Sequence, residues 1–162
     1  LTMEGFDAAR VLVSSSCIGV AERALELGMD YLKQRVAFEK PLASYQGIQF
    51  QLAEDYSKLM AVKELIYKTA WMVDQKYKKD AFTALECSKW ISMCKLPAPQ
   101  TAFDILYDVL LWFGAYGYTK ECPIEMGLRG VLSYCIGAEG AQNVQKMVIA
   151  REVMGRDYTR TR

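Results

Sequence analysis

Histidine is missing from all 162 residues, and that absence excludes more chemistry than any residue present can suggest. Without imidazole the chain builds no Ser-His or Cys-His nucleophile pair and no His-based metal site. Any catalysis must rest on carboxylates or on a borrowed cofactor. Long apolar runs are missing too. The best candidate, Ile105 to Phe113, is interrupted by Asp108 and falls far short of the ~18 residues that cross a bilayer, so no membrane insertion is expected. The five cysteines, Cys17, Cys87, Cys94, Cys122 and Cys135, form no CxxC pair and are odd in number. They read as buried thiols in a reducing compartment, the cytoplasm or the mitochondrial matrix of a eukaryote; metal ligation is a poor second choice and no metal is expected. No basic block stands out either. Twenty Lys and Arg against 19 Asp and Glu leave a net charge of +1, which offers nucleic acid no electrostatic footprint. The tail from Arg156 to Arg162 holds three arginines and reads as a frayed, solvated end. The opening Leu1-Thr2-Met3-Glu4 lacks an initiator Met and the basic and apolar regions of a signal peptide, so the chain reads as a piece of a longer protein.

What is present is helical. The composition is 52% apolar and 24% charged, ordinary for a globular domain with a real core. Val11, Ile18, Leu25 and Leu32 recur every seven residues, with small residues at Ser14, Ala21 and Gly28. That spacing predicts one face of a helix from an N-cap at Asp7 to about Arg35. Phe38 to Ser44, with Pro41, reads as a turn. Ser44 then caps a second long helix whose face includes Ile48, Leu52, Leu59, Val62, Ile66 and Val73. Lys76 to Asp80 reads as a polar connection, and a third helix, about 81–96, stops or kinks at Pro97 and Pro99. It resumes from Gln100 to Phe113 with Phe103, Leu106 and Leu110 on one face. Gly114 to Gly117 reads as a turn, Pro123 as the start of a short helix to about Tyr134, and 137–140 as a bend into a last helix ending at Gly155. No period-2 alternation is sustained. Trp71, Trp90, Trp112 and Tyr116 read as core or subunit-interface residues. The fold class is all-α: a long-helix, up-and-down four-helix-type bundle, residues 1–162 forming one helical domain.

Three blocks carry chemistry. The first, Arg35 to Gln49, reads R-V-A-F-E-K-P-L-A-S-Y-Q-G-I-Q. It sets a guanidinium, an aromatic and two amides around a Lys-Pro turn. An Arg held there suits bidentate binding of phosphate or carboxylate, although the same residues taken alone are ordinary cap and turn residues. The second is Phe113-Gly114-Ala115-Tyr116-Gly117-Tyr118 followed by Pro123, Glu125 and Arg129. The third is Glu139-Gly140-Ala141 followed by Ile149-Ala150-Arg151. With Phe6-Asp7, Arg10, Gly19, Ala21 and Ala24-Leu25 of the first helix, this ordered set resembles the C-terminal domain of the acyl-CoA dehydrogenase family over nearly all of residues 5 to 155.

The resemblance implies FAD as cofactor, an acyl-CoA thioester as substrate, removal of an α-proton by a carboxylate, and passage of the β-hydride to the flavin. It implies Glu139 as the base and Arg35, Phe38, Gln46, Gly114 and Gly117 as flavin contacts, the first three reaching FAD from a neighbouring subunit. Gly140 would let substrate approach the backbone. Arg10 reads either as a contact for the thioester's pantetheine arm or as a plain helix-surface arginine. The implied partners are further copies of the chain, as dimer or tetramer, and an electron-transfer flavoprotein or similar acceptor. Departures from the family pattern fall at Leu111, Ala115, Gly130, Ala141 and Glu39, and the base that another branch carries on the first helix is replaced by Ala9. Counting from Arg129 puts the family's base at Ala138, whereas counting back from Arg151 puts it at Glu139. Two further readings remain open: a non-catalytic module for oligomerisation or partner binding, and an oxidase that uses oxygen as acceptor.

Overall fold

The computed structural model describes residues 2–159, without the side chains of 2–6 and 156. The side chains of Phe6 and Arg156, and residues Arg160 and Arg162, therefore lie outside the described set. Six α-helices follow in order: α1 Thr2–Gln34, α2 Gln46–Lys79, α3 Ala84–Lys95, α4 Pro97–Trp112, α5 Pro123–Ile136 and α6 Gln142–Met154. Two-residue strands, β1 Val36–Ala37 and β2 Lys40–Pro41, form a small hairpin between α1 and α2. The expected all-α bundle is what forms.

The direction of each helix follows from its contacts. Lys63 of α2 pairs with Glu22 of α1 at 2.7 Å, and the hairpin makes these two helices antiparallel. Cys87 and Met72 meet, as do Thr69 and Trp90, so α3 runs against α2. After a single intervening residue, Leu96, Pro97 opens α4. Its missing N–H is harmless in a first helical turn, so α3 and α4 form one broken rod running alongside α1. Helix α5 returns, with Gly127 against Leu106 and Val20 and Tyr134 against Lys95. The result is up-down-up-down, with α6 packed on α3.

Ile18, Leu25 and Leu32 are buried as the seven-residue spacing predicts, and Ala21, Ala24, Ala98 and Ala102 let α1 and α4 close tightly. Gly28 belongs to the same seam, since a Cβ there would stand 2.9 Å from the Trp112 ring. Small side chains at these positions leave little to compress, which is how interior packing reaches crystal-like density. Four of the five cysteines are buried and all five are free. Burial pushes the Cys17 thiol up to about 11, leaving it inert as a nucleophile at neutral pH.

Several local expectations are corrected. Asp7 is no N-cap: α1 already runs through it, and its carboxylate takes Arg10 Nη1 at 3.1 Å across a helical i,i+3 step. Ser44 does not cap α2. It ends a 3-10 turn, and Tyr45 is the cap without a side-chain bond; its hydroxyl donates back to Ala37 O at 2.8 Å. The polar run at 76–79 is not a connection but the last turn of α2. Lys76, Lys78 and Lys79 suit the negative end of the helix dipole, and Asp80 stops it in a left-handed conformation at φ 50°. Helix α3 starts later than expected because Thr83 and Glu86 form a reciprocal capping box. Met72 and Thr69, rather than Val73, continue the buried face of α2. Of the aromatics expected in the core or a subunit interface, Trp112 is buried, whereas Trp71 and Tyr116 are 48% and 46% exposed in the single chain, which removes the core half of that expectation for these two.

Candidate functional site

The corner between α1 and α2 is rigid. Val36 pairs with Pro41 and Ala37 with Lys40, Leu42 N donates to Arg35 O at 2.9 Å, and Lys40 Nζ stands 4.2 Å from the centre of the Tyr45 ring. Phe38 and Glu39 occupy the hairpin turn with φ of 51° and 69°. Two consecutive left-handed residues are what a two-residue turn of this hand requires, and neither is glycine. Phe38 is thereby thrown outward, 91% exposed, with Arg35 and Gln46 also exposed on the same corner. An exposed apolar ring thus stands beside a guanidinium and an amide on one corner.

Gly114 belongs to the same end of the bundle. Tyr31, in the last turn of α1, stacks on Phe113 at 4.5 Å between ring centres, so the loop after α4 lies against the end of α1. Gly114 has φ 60° and open space where a side chain would stand. Gly117 differs. It is buried, and a Cβ there would run into the backbone carbonyl of Leu110, so packing within the chain already accounts for this glycine.

Glu139 lies elsewhere. The bend after α5 is closed by Gly137 N and Ala138 N donating to Ser133 O and by Gly140 N donating to Gly137 O. Glu139 and Gly140 are both left-handed, at φ 58° and 107°. Arg10 Nε donates to Glu139 O at 3.0 Å, fastening the bend to α1, while Asp7 holds another nitrogen of the same guanidinium. Gly140 has a second reason to lack a side chain, since a Cβ would stand 2.7 Å from Gln145 Nε2. The side chain of Arg10 is 12% exposed, so it is not a plain surface arginine. It organises the bend. Glu139 itself is half-buried, as is Ala138 beside it.

The expected site residues thus fall into two groups at opposite ends of the bundle. Arg35, Phe38, Gln46, Gly114 and Gly117 share one end; Arg10, Glu139 and Gly140 share the other. Twenty-five residues of continuous α1 separate Arg10 from Arg35, roughly 37 Å at 1.5 Å per residue, more than the diameter of a small domain. Within one chain the two groups therefore stand far apart.

Among the buried polar residues that sequence reasoning missed, three are large. Asp55, Lys95 and Gln145 are 1%, 0% and 0% exposed. Lys95 Nζ donates to Tyr134 O at 3.0 Å, whereas Asp55 Oδ2 and both amide atoms of Gln145 have no partner. Burial and then the charge of Asp108 push the Asp55 carboxyl up to about 6. Burial pushes the Lys95 ammonium down. A signal existed for two of them. Asp55 sits on the Leu52–Leu59–Val62 stripe, and Lys95 stands four residues after Ile91. Among the described residues no cluster of His, Cys, Asp and Glu could hold a metal ion, and no helix is long and apolar enough to cross a membrane.

Comparison with known proteins bears on the family and the fold. A family model described as "Acyl-CoA dehydrogenase, C-terminal domain" matches residues 1–154. An acyl-CoA dehydrogenase of Bacillus subtilis is 33% identical over 155 residues, covering 96% of this chain and 38% of the relative. An acryloyl-CoA reductase (NADH) of Anaerotignum propionicum is 36% identical, covering 96% of this chain and 37% of the relative. The structure of butyryl-CoA dehydrogenase from Megasphaera elsdenii superposes with a TM-score of 0.83 at 31% identity, over 94% of this chain and 37% of that one. The chain therefore spans well under half the length of the relatives it matches. With the bundle, its helix order and the matched residues in agreement, this chain belongs to the acyl-CoA dehydrogenase family, as its C-terminal helical domain.

Proposed function

We propose that this domain serves a longer flavin-dependent acyl-CoA dehydrogenase in which Glu139 exchanges the α-proton of a CoA thioester. The observation that supports this reading most is the fixed bend: a half-buried carboxylate on two left-handed residues, fastened to α1 through Arg10. A base set on a rigid element keeps its distance to the reacting carbon, and geometry of that kind supplies a large part of a catalytic effect. Removal of a proton from the α-carbon and a hydride from the β-carbon leaves a double bond between them. Glu139 takes the proton; run in reverse, the protonated acid returns it, so the same residue suits a reductase. Flavin, when bound, accepts the hydride and supplies the redox chemistry.

The residues present fit that cofactor. Arg35 offers two parallel donors to a pyrophosphate, Phe38 and Gln46 stand exposed beside it, and Gly114 leaves open space for backbone approach. Because this corner lies roughly 37 Å of helix from Glu139, we infer that the corner of one copy completes the site containing Glu139 of another. Homo-oligomerisation, dimer or tetramer, is then a condition of activity. An electron-transfer flavoprotein or similar acceptor is the redox partner this reading requires, and the buried free thiols suit a reducing compartment such as the cytoplasm.

A second reading keeps the fold without the chemistry. Ala138 stands where the spacing from Arg129 puts the acid, Ala141 leaves α6 without a side-chain cap, and Leu111 is 54% exposed. The full-length protein decides. Its visible spectrum should show a flavin band that bleaches with one CoA ester, and Glu139→Gln should lower turnover by about 10²–10⁴-fold. Unchanged turnover in that variant removes Glu139 as the base. A preparation that never holds flavin favours the non-catalytic module, and oxygen consumption without an added acceptor identifies an oxidase.

A further inference from the structure

Lys95 ends α3 and is wholly buried. Its neighbours are the thiols of Cys17, Cys94 and Cys135 and the guanidinium of Arg10. Among the described residues no carboxylate pairs with it. A buried, unpaired ammonium is a poor filler for a core, since desolvating it is expensive and a methionine of similar length would pack there without that penalty. What the amine does is grip one atom, the Tyr134 carbonyl oxygen at 3.0 Å.

That atom matters because of where it lies. Helix α5 ends at Ile136, so Tyr134 O is one of the last four carbonyls, which have no amide partner further along the helix. The preceding carbonyl, Ser133 O, is taken by Gly137 and Ala138. Tyr134 O is left for Lys95. Five residues later comes Glu139, whose own carbonyl is held by Arg10 at 3.0 Å. The bend is therefore clamped on both sides by cations, from α3 at its entry and from α1 at the acid itself.

We propose that Lys95 is a positioning residue for Glu139: by holding Tyr134 O it fixes where the bend leaves α5 and so where the carboxylate stands. This rests on the reading of Glu139 as the base. Lys95→Met in the full-length protein is the test, read in two ways. Hydrogen exchange over residues 134–141 should speed up by about tenfold or more while the α1 and α4 cores stay protected. In the flavin-loaded protein kcat should fall by about 10- to 100-fold with KM little changed, as expected when a reacting group is displaced rather than binding lost. Lys95→Arg, which keeps a donor, should retain the protection. A folded Lys95→Met protein with an unaltered bend, or a loosened bend with full kcat, overturns the proposal while leaving Glu139 as the base. A protein in which Glu139→Gln has no effect overturns the base reading and this proposal with it. Should Lys95→Met fail to fold, exchange in the wild type decides: amides 137–140 must open together with the end of α5, and faster, independent opening overturns the clamp.

Discussion

Replacing Asp55 with Asn should stabilise the fold at neutral pH by an amount that disappears in acid. The carboxyl is 1% exposed and its Oδ2 has no partner. Asp104 and Asp108 from α4 and Glu54 from α2 oppose its ionisation, with only Lys58 favouring it. The ordinary value of 3.8 rises to about 6 in the fold. At 1.36 kcal/mol per pH unit, that displacement represents about 3 kcal/mol of destabilisation once the group is ionised in both states. The sign follows from proton binding. Between pH 4 and 6 the folded chain holds this proton more tightly than the unfolded chain, so stability falls as pH rises through that window and levels off above it. Below about pH 3 both states are largely protonated and the penalty vanishes. Asn, a neutral near-isostere, carries no ionisation penalty at any pH. Denaturant melts of wild type and Asp55→Asn at pH 3 and pH 7.5 should therefore nearly coincide at the lower pH and separate by about 3 kcal/mol at the higher. In a chain of this size that is a Tm difference of roughly 6–12 °C. An equal gain at both values would refute the electrostatic account, and no gain at pH 7.5 would show that the carboxylate is solvated after all.

Other substitutions test other features. Gly117→Ala should cost about 3 kcal/mol, because its methyl would enter the Leu110 carbonyl; Gly130→Asp, with nothing within 4 Å of its Cβ, should leave the melting curve within about 0.5 kcal/mol of wild type. Glu39→Gly should raise stability by about 1 kcal/mol by relieving a left-handed glutamate at φ 69°, read in the same melts. Thr83→Ala should lose about 1 kcal/mol with the capping box, and faster amide exchange in the first turn of α3 would locate the effect.

Periodic features were legible in the chain and isolated ones were not. Seven-residue spacing placed Ile18, Leu25 and Leu32 in the core because a long helix repeats its environment. The left-handed turn at Glu39 could be anticipated only through the family resemblance, since composition gives no φ. Caps failed in both directions. Asp7 has the chemistry of a cap but stands where an i,i+3 arginine satisfies it, and the Thr83–Glu86 box was overlooked because a polar run masked it. Asp55 and Lys95 were hidden by the habit of reading charges as solvated; each sits on an apolar stripe whose phase already placed it inside. No pattern in the chain linked Lys95 to Tyr134 or Arg10 to Glu139, contacts that exist only once α3, α5 and α1 have packed. The distance between the two candidate clusters, by contrast, was implicit in the length of α1.

That length has a genetic corollary. On the proposed reading, a protein crippled at the hairpin and another crippled at the bend would rescue each other when co-expressed, because some mixed assemblies would pair an intact corner with an intact acid. The same two lesions placed in a single polypeptide would find no such help. Inheritance of defects in such a protein would then depend on which alleles meet.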